Sequence, residues 1–212
     1  MKKFFLINSL IFFIMISNDL NAQKSDDYVV TISTKLGDIS LVLFDETPKH
    51  KENFLKLAKD KFYDGTTFHR VIKNFMIQGG DPNSKEGGKT NEIGMGGPSY
   101  LIDAEINPKF THVKGAVAAA RTGGPGNPQK KSSGSQFYIV QNATGTPHLN
   151  KEYSIFGQVI EGLDILDKIA DVQKGAMDRP VEDIRMTVKV EKMSKVDIAK
   201  KYNVDWENIQ KK

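Results

Sequence analysis

Hydrophobic and polar residues alternate along several short stretches of the chain, which is the pattern of half-buried β-strands. A turn at residues 35–38 joins the first two stretches into a hairpin. The eight predicted strands are residues 28–34, 39–44, 68–72, 75–78, 115–121, 135–141, 154–160 and 183–193. Because their connections suit antiparallel pairing and open sheet edges invite aggregation, we expect the strands to close on themselves.

Helical spacing replaces alternation in two places. Thr47 and Pro48 are typical of a helix start, and an apolar stripe follows them. That stripe consists of Phe54, Leu57, Ala58 and Phe62. A second helix is predicted at residues 163–170, with Leu163, Leu166 and Ala170 as its stripe. The pattern therefore predicts a mainly β fold, a closed eight-stranded antiparallel β-barrel capped by two α-helices.

The two ends of the chain differ from this central part. Residues 1–22 begin with two lysines, continue with an apolar run at residues 4–16 and end in Ala22, which is the layout of a secretory signal peptide. The run is short for a membrane span, so a retained anchor is the less favoured alternative. We expect cleavage near Ala22 and a mature protein that is periplasmic or secreted, without stable membrane association. Residues 23–193 form the predicted domain, and Ser194 is expected to begin a helical extension over residues 194–212.

Composition excludes several kinds of chemistry. The 212 residues include no cysteine, which excludes disulfides, cysteine nucleophiles and thiolate metal sites. The four histidines lie far apart in the sequence, so no metal site is expected. No nucleophile-elbow pattern is present. The net charge of +4 comes from interspersed rather than clustered charges, and we expect no nucleic-acid partner.

Two segments rich in glycine, residues 79–98 and 122–134, connect predicted strands. Phosphate-binding loops lie between a strand and a helix, so these segments do not favour a nucleotide site. The small residues of 115–121 allow either the approach of another backbone or tight packing against a neighbouring element, with nothing in the pattern to choose between them.

Arg70 is unusual because it lies inside the apolar stretch 68–72. A guanidinium is almost never buried without a partner. Alternation puts Met76 and Gln78 on one face of the next strand, but a one-residue change in the turn would reverse the face of Arg70. The pattern alone leaves that register open.

Three short motifs occur in order around this arginine. Residues 68–72 read Phe-His-Arg-Val-Ile, and residues 75–81 read Phe-Met-Ile-Gln-Gly-Gly-Asp. Residues 134–139 read Gly-Ser-Gln-Phe-Tyr-Ile, and Phe156, Gly157 and Val159 follow. Together these motifs resemble those of the cyclophilin family of peptidyl-prolyl cis–trans isomerases. The resemblance extends over residues 28–193.

The resemblance implies the same barrel and a substrate face shared by Arg70 and Gln78, with Arg70 as the catalytic arginine. The implied substrate-binding residues are His69, Phe75, Met76, Gln78, Ala120, Arg121, Gln136, Tyr138, His148, Leu149 and Tyr153. Of these, Phe75, Met76, Tyr138 and Leu149 would line the proline pocket. Gln78 and Gln136 would order Arg70 or the substrate carbonyl. Ala120 and Arg121 would offer backbone groups, and His69, His148 and Tyr153 would form the rim.

The resemblance also implies an enzyme without cofactor that acts on proline-containing polypeptides. With the export expected from residues 1–22, we expect these to be folding exported proteins, and we expect a monomer. The alternative is a peptide-binding chaperone module of the same fold with little turnover. Tyr138 stands where the family often has Phe. His148 and Arg121 stand where eukaryotic members often have Trp and Asn, and His148 argues for weak cyclosporin binding. Residues 122–134 form a longer segment than usual and are a candidate for substrate selection. His50 and His112 are expected at the surface.

Overall fold

The computed structural model describes residues 26–209, and these contain ten strands and three α-helices. The strands are β1 (Asp26–Thr34), β2 (Gly37–Leu43), β3 (Arg70–Ile72), β4 (Met76–Gly79), β5 (Leu101–Ile102), β6 (Ala116–Ala119), β7 (Ser132–Ser133), β8 (Phe137–Val140), β9 (Ile155–Glu161) and β10 (Met186–Ser194). The helices are α1 (Pro48–Lys59), α2 (Leu163–Ala170) and α3 (Lys195–Tyr202). Residues 1–22, where a signal peptide is predicted, lie outside the described residues.

Eight of the strands form one sheet in the order β10-β1-β2-β9-β6-β8-β4-β3, and every neighbouring pair is antiparallel. The prediction of a mainly β protein with an eight-stranded antiparallel sheet is confirmed. The short strands β5 and β7, which the sequence did not predict, form a separate pair.

The residues that precede β3 bond to those around the start of β10, although β3 and β10 are at opposite ends of the strand order. The N–H groups of Gly65 and Met186 donate to the carbonyls of Met186 and Thr66 at 2.9 and 2.8 Å. Phe68 N–H donates to the Ile184 carbonyl at 3.0 Å. These three bonds connect the first and last strands of the sheet through the chain beside them.

The main core lies between the sheet and helices α1 and α2, and aromatic side chains fill its centre. Phe54 of α1 stacks on Tyr63 with ring centroids 4.8 Å apart and meets Phe137 of β8 edge-on at 5.3 Å. Phe137 and Ile139 face this core, whereas Tyr138 and Val140 of the same strand belong to a second cluster. Alternation along β8 therefore gives it two apolar faces, and the second face leads to the candidate site.

The starts of α1 and α2 follow from local chemistry. Pro48 occupies the first turn of α1, and Thr47 precedes it as predicted, but the Thr47 hydroxyl donates to the Phe44 carbonyl at 3.3 Å rather than capping the helix. Helix α2 follows Gly162, whose φ is 88°, and a Cβ there would lie 2.3 Å from the Asp38 carbonyl oxygen. Only glycine fits at that position.

Two details of the predicted helical stripes are wrong. Phe62 lies beyond the end of α1, because the helix already stops at Lys59. Leu163 is 38% exposed, since it occupies the first turn of α2 and the buried face is formed by other residues. The residues that α2 does bury are Ile165, Leu166, Ile169 and Ala170.

The helix predicted after Ser194 is confirmed as α3. The Ser194 side chain accepts a hydrogen bond from Asp197 N–H at 3.1 Å, as an N-cap residue does. Ile198 is fully buried and packs with Val29 and Val42, which point away from the main core. Helix α3 thereby covers apolar side chains of β1 and β2 that would otherwise meet water. Within residues 26–209, no helix is both long enough and apolar enough to cross a membrane.

Candidate active site

The β3–β4 hairpin determines where the Arg70 side chain points. Arg70 lies directly opposite Gln78, and Ile72 lies opposite Met76, so all four side chains share one face of the hairpin. Asn74 adopts a left-handed backbone with φ 60° in the turn, and its N–H donates to Gln141 Oε1 at 2.7 Å. This geometry settles the register that alternation left open.

Arg70 opens onto a cleft of about 200 Å³. The side chains that line it are Arg70, Phe75, Met76, Gln78, Ala120, Arg121, Tyr138, Leu149 and Tyr153. Nine of the twelve residues named from the resemblance therefore meet in one place. Met76 and Tyr138 are buried beneath the cleft, whereas the Arg70 side chain is 45% exposed at its edge. The cleft thus combines an apolar floor with one half-exposed cation.

The small side chains of β6 leave space for the Tyr138 ring on the floor of the cleft. Ala118 pairs with Tyr138 across β6 and β8, and Gln78 pairs with Tyr138 on the other side. The N–H of Ala120 donates to the Gln136 carbonyl at 3.0 Å, and its carbonyl accepts from Ser133 N–H at 2.8 Å. Of the two residues expected to offer backbone groups, Ala120 is therefore already engaged within the protein.

Gln136 lies behind the cleft rather than in its lining. It is buried, and its Oε1 accepts from Gln78 Nε2 at 3.0 Å. Its own Nε2 donates to the carbonyls of Gly94 and Gly96 at 3.1 and 2.8 Å. The fully buried Asp81 also accepts from Gly96 N–H at 3.0 Å. Gln136 thus connects Gln78 in the cleft to the glycine-rich segment, and orders Gln78 rather than reaching the cleft itself.

Arg121 is held firmly at the opposite side of the cleft. Its guanidinium lies 4.6 Å from the ring centroid of Tyr153 and donates to Glu152 Oε2 at 3.1 Å. Lys130 donates to the other Glu152 oxygen at 2.8 Å. The hydrogen bond from Lys130 is the largest influence that lowers the pKa of Glu152. Glu152 thereby fastens the 122–134 segment to the cleft.

His112 was expected at the surface, and that expectation is wrong. The residue is 2% exposed and stacks on Tyr138 with ring planes 8° apart. His112 Nδ1 lies 2.9 Å from Asn150 Oδ1, and Nε2 lies 2.8 Å from the Tyr138 hydroxyl. Burial lowers the pKa of His112, which favours the neutral ring. Since the amide oxygen can only accept, Nδ1 donates to it and Nε2 accepts from Tyr138.

The sequence held one signal for this contact. Tyr138 replaces a frequent Phe, and a buried tyrosine hydroxyl usually needs a partner. His50 was also expected at the surface and is likewise 2% exposed. Its ring nitrogens lie 2.6 Å from Glu105 Oε2 and 3.0 Å from Ser132 Oγ, and burial is the main cause that lowers its pKa. Both histidines are buried because polar partners distant in the sequence form hydrogen bonds with their rings.

The two remaining residues of the expected rim differ from each other. His148 is exposed and stacks on Phe75 with ring centroids 5.7 Å apart, so it adjoins the cleft. His69 is 5% exposed and does not line the cleft, so its expected position at the rim is wrong. Burial is the largest cause that lowers its pKa, and the Asp81 carboxylate opposes that shift. In extended backbone, successive side chains point to opposite faces, so His69 points into the protein when the next residue, Arg70, points outward.

Larger grooves of about 520 and 700 Å³ lie along the C-terminal segment that includes Trp206 and Ile209. Neither is lined by Arg70 or by any aromatic residue of the cleft. Within residues 26–209, no group of three or more His, Asp or Glu side chains is arranged to hold a metal ion. The cleft beside Arg70 is therefore the strongest candidate site.

Comparison with known proteins identifies the family of the chain. The family model of the cyclophilin type peptidyl-prolyl cis-trans isomerases matches residues 29–190. The peptidyl-prolyl cis-trans isomerase CYP18-1 of Arabidopsis thaliana is 42% identical over 158 residues, covering 74% of this chain and 91% of that protein. A putative bifunctional phosphatase/peptidyl-prolyl cis-trans isomerase of Streptococcus pyogenes is 38% identical, but the match spans only 37% of that longer protein and 73% of this chain.

Solved structures support the same family. The crystal structure of a cyclophilin type peptidyl-prolyl cis-trans isomerase from Cryptosporidium parvum is similar with a TM-score of 0.68 and 32% identity. The similarity covers 79% of this chain and 98% of that one. A second crystal structure of the Cryptosporidium protein, determined in the presence of the dipeptide Ala-Pro, has a TM-score of 0.66 and covers 77% of this chain and 98% of that one. The matching family model, the relatives and the solved structures show that the chain belongs to the family of cyclophilin-type peptidyl-prolyl cis–trans isomerases.

Proposed function

We propose that Arg70 accelerates rotation about X–Pro peptide bonds by donating a hydrogen bond to the prolyl nitrogen of the twisted amide. The observation that carries this proposal is the position of Arg70 at the edge of a cleft whose floor is apolar. The proline ring would sit on Phe75, Met76, Tyr138 and Leu149. No proton transfer, nucleophile or cofactor is needed for this reaction.

The physical reason lies in the amide bond itself. Delocalisation of the nitrogen lone pair resists rotation by about 18–20 kcal/mol. Rotation to the twisted state returns that lone pair to nitrogen, which then becomes a hydrogen-bond acceptor. A guanidinium beside it therefore stabilises the transition state more than either planar ground state. A charged hydrogen bond contributes about 1.5–3 kcal/mol, which corresponds to about ten- to a hundredfold in rate.

The remaining acceleration would come from the cleft around the bond. An apolar floor removes water from the amide and holds the ring while the preceding carbonyl swings. Gln78 would orient that carbonyl. The backbone of Arg121 would hold the peptide chain, since among residues 26–209 neither its N–H nor its carbonyl takes part in a backbone hydrogen bond. The guanidinium of Arg121 stays with Glu152 and Tyr153.

The substrates are inferred to be polypeptides that contain proline. The similar Cryptosporidium protein has been crystallised in the presence of Ala-Pro, which fits a proline-sized site in this fold. We further propose that residues 1–22 direct export and that the mature monomer assists the folding of exported proteins in the periplasm or outside the cell. A mature protein isolated from its host should begin at Gln23, and one that begins at Met1 would contradict export.

We also infer that the eight-stranded sheet closes into a barrel. Support comes from the hydrogen bonds between residues 65–68 and 184–186, which join the two ends of the strand order. A closed sheet leaves no long open edge. It would also hold Arg70 on a strand that is fixed from both sides, near the point where the two ends meet.

A cis–trans isomerisation assay on a short X–Pro peptide tests the function. We expect the wild-type protein to accelerate isomerisation and Arg70→Ala to lose about ten- to a hundredfold in kcat/KM, the contribution of one charged hydrogen bond. Equal activity of the two proteins would reject the role of Arg70. An inactive wild-type protein that still binds proline peptides would favour the chaperone module instead.

A further inference from the structure

A short loop between α2 and β10, residues 174–180, contacts β3 and comes close to Arg70. Met177 and Asp178 both adopt a left-handed backbone with φ 58°. Such a conformation is uncommon for residues other than glycine, and two in succession are rarer still. The Gly175 N–H donates to the Arg179 carbonyl at 2.8 Å, and Lys174 and Pro180 form an antiparallel bridge, so the loop is closed at its base.

This backbone directs one carboxylate at the arginine. Asp178 Oδ2 lies 4.0 Å from Arg70 Nε, with the two side chains 49% and 45% exposed. Among residues 26–209, no other carboxylate forms an ion pair with Arg70. The neighbouring Arg179 is turned away and donates to Asp183 at 3.1 Å. The loop therefore brings a negative charge to Arg70 at the expense of an unfavourable backbone conformation.

The atom that Asp178 approaches matters for the reaction. Nε is the inner nitrogen of the guanidinium, and an anion on that side leaves the terminal nitrogens available to a substrate. Arg70 needs such a partner because its long side chain is half exposed and loses conformational entropy when it is held in one orientation. Gln78, directly across the hairpin, is already bonded to Gln136.

We propose that Asp178 is a positioning residue for Arg70, a role that rests on the function proposed for Arg70 itself. Its carboxylate holds the guanidinium over the cleft with the terminal nitrogens directed to the prolyl bond. The strained turn at Met177 and Asp178 is the device that brings the carboxylate there. Asp178 touches no reacting atom and acts only through Arg70.

The substitution Asp178→Asn tests this proposal, because asparagine favours the left-handed backbone and only the charge is lost. We expect kcat on an uncharged X–Pro peptide to fall about two- to fivefold with KM unchanged, the effect of losing an exposed ion pair. Glu182→Gln is the matched control, since Glu182 is a nearby acid that is 85% exposed and pairs with Lys35 instead. It should retain wild-type kcat.

Two further measurements separate positioning from folding. NMR relaxation should show a more mobile Arg70 Nε–H group in Asp178→Asn than in the wild type. High salt screens the ion pair, so it should bring the wild-type kcat towards that of the variant. Asp178→Gly, which relaxes the backbone, should match Asp178→Asn.

The possible outcomes distinguish this proposal from the one it rests on. Wild-type kcat in Asp178→Asn, together with an inactive Arg70→Ala, would overturn the positioning role and keep the function. A rise in kcat would overturn it too, since it would mean that Asp178 competes with substrate for Arg70. Full activity in Asp178→Gly would also overturn the positioning role, because that variant lacks the carboxylate as well. Any loss of activity in Asp178→Asn would then come from another effect of asparagine.

Discussion

The Tyr138 hydroxyl lies 2.8 Å from Nε2 of the buried His112, and the two rings are stacked with their planes 8° apart. Tyr138 also lines the cleft, so its ring borders the cleft while its hydroxyl points into the protein. Asn150 fixes the other ring nitrogen of His112 at 2.9 Å. The floor of the cleft is therefore anchored by hydrogen bonds that join Tyr138, His112 and Asn150.

Replacement of Tyr138 by Phe should reduce stability even though the ring is retained. It leaves the buried Nε2 of His112 without its donor, which costs about 1–3 kcal/mol of unfolding free energy. Urea denaturation of the variant at pH 7.5 measures the change. In a double-mutant cycle with His112→Leu, the effects of the two substitutions should fall short of additivity. Additive effects would show that the contact contributes nothing to stability.

Acid should weaken the fold as the pH falls below 6.5. The pKa of each of His50, His69 and His112 is lowered from 6.5, mainly by burial. Below pH 6.5 the unfolded chain therefore binds protons that the folded chain does not, and stability falls as the pH falls. Each imidazole that stays neutral contributes a slope of up to about 1.4 kcal/mol per pH unit.

Urea midpoints at pH 7.5, 6.5 and 5.5 check this dependence. The midpoint should decrease from the first value to the last, and His112→Asn should reduce the slope because one of the three groups is gone. A midpoint that is the same at pH 7.5 and pH 5.5 would contradict the prediction. This pH range, 5.5 to 7.5, lies above the lowered pKa values of Asp45 and Glu152, so these two carboxylates stay ionised throughout it.

Alternation along the chain predicted the strands at residues 28–34, 39–44, 135–141 and 183–193, because a period of two is a local property, and short apolar or small-residue stretches beside turns predicted the other four. Alternation could not fix the face of Arg70, since that depends on Phe75 belonging to the turn rather than to β4. Motif resemblance gave the correct face and nine of the cleft residues. The strands β5 and β7 have two residues each, too few for any periodicity to be detected.

The missed residues share one physical cause. Burial of His112 depends on Tyr138, 26 positions away, and the approach of Asp178 to Arg70 depends on a backbone conformation that no residue type specifies. The sequence pattern predicts which residues face a core, but it does not identify single polar contacts between distant segments. These contacts are what distinguish this cleft from a generic apolar one.

Substitution of Gln136 should affect catalysis from behind the cleft. Gln136→Leu removes the hydrogen bonds to Gln78, Gly94 and Gly96, and leaves those two glycine carbonyls without this donor. With Gln78 free to move, we expect kcat/KM to fall about five- to tenfold, equivalent to about 1 kcal/mol of lost orientation. Gln173→Leu, a change of the same kind at an exposed site, is the control. Equal kcat/KM in both variants would argue against the link.

Glu152 should protect the 122–134 segment from proteolysis. Its carboxylate receives Arg121 at 3.1 Å and Lys130 at 2.8 Å, so Glu152→Gln weakens both attachments at once. Trypsin should then cut after Lys130 or Lys131 faster than in the wild type, since cleavage follows local opening. Glu182→Gln serves as the control, because its partner Lys35 lies elsewhere. Unchanged cutting would mean that other contacts hold the segment.

The C-terminal helix should contribute to stability without contributing to catalysis. Ile198 of α3 is fully buried against Val29 and Val42, and no residue of the cleft belongs to that cluster. Ile198→Ala should therefore lower the unfolding free energy by about 2–5 kcal/mol, the usual cost of truncating a buried isoleucine. Val196→Ala is a matched control on the same helix, where the side chain is 44% exposed and the expected change is within about 0.5 kcal/mol. Denaturation curves give both values, and kcat/KM measured well below the unfolding temperature should equal the wild-type value in both variants. A loss of activity in folded Ile198→Ala would mean that α3 influences the cleft through β1 and β2, and the extension would then be part of the working enzyme rather than a cover for its outer face.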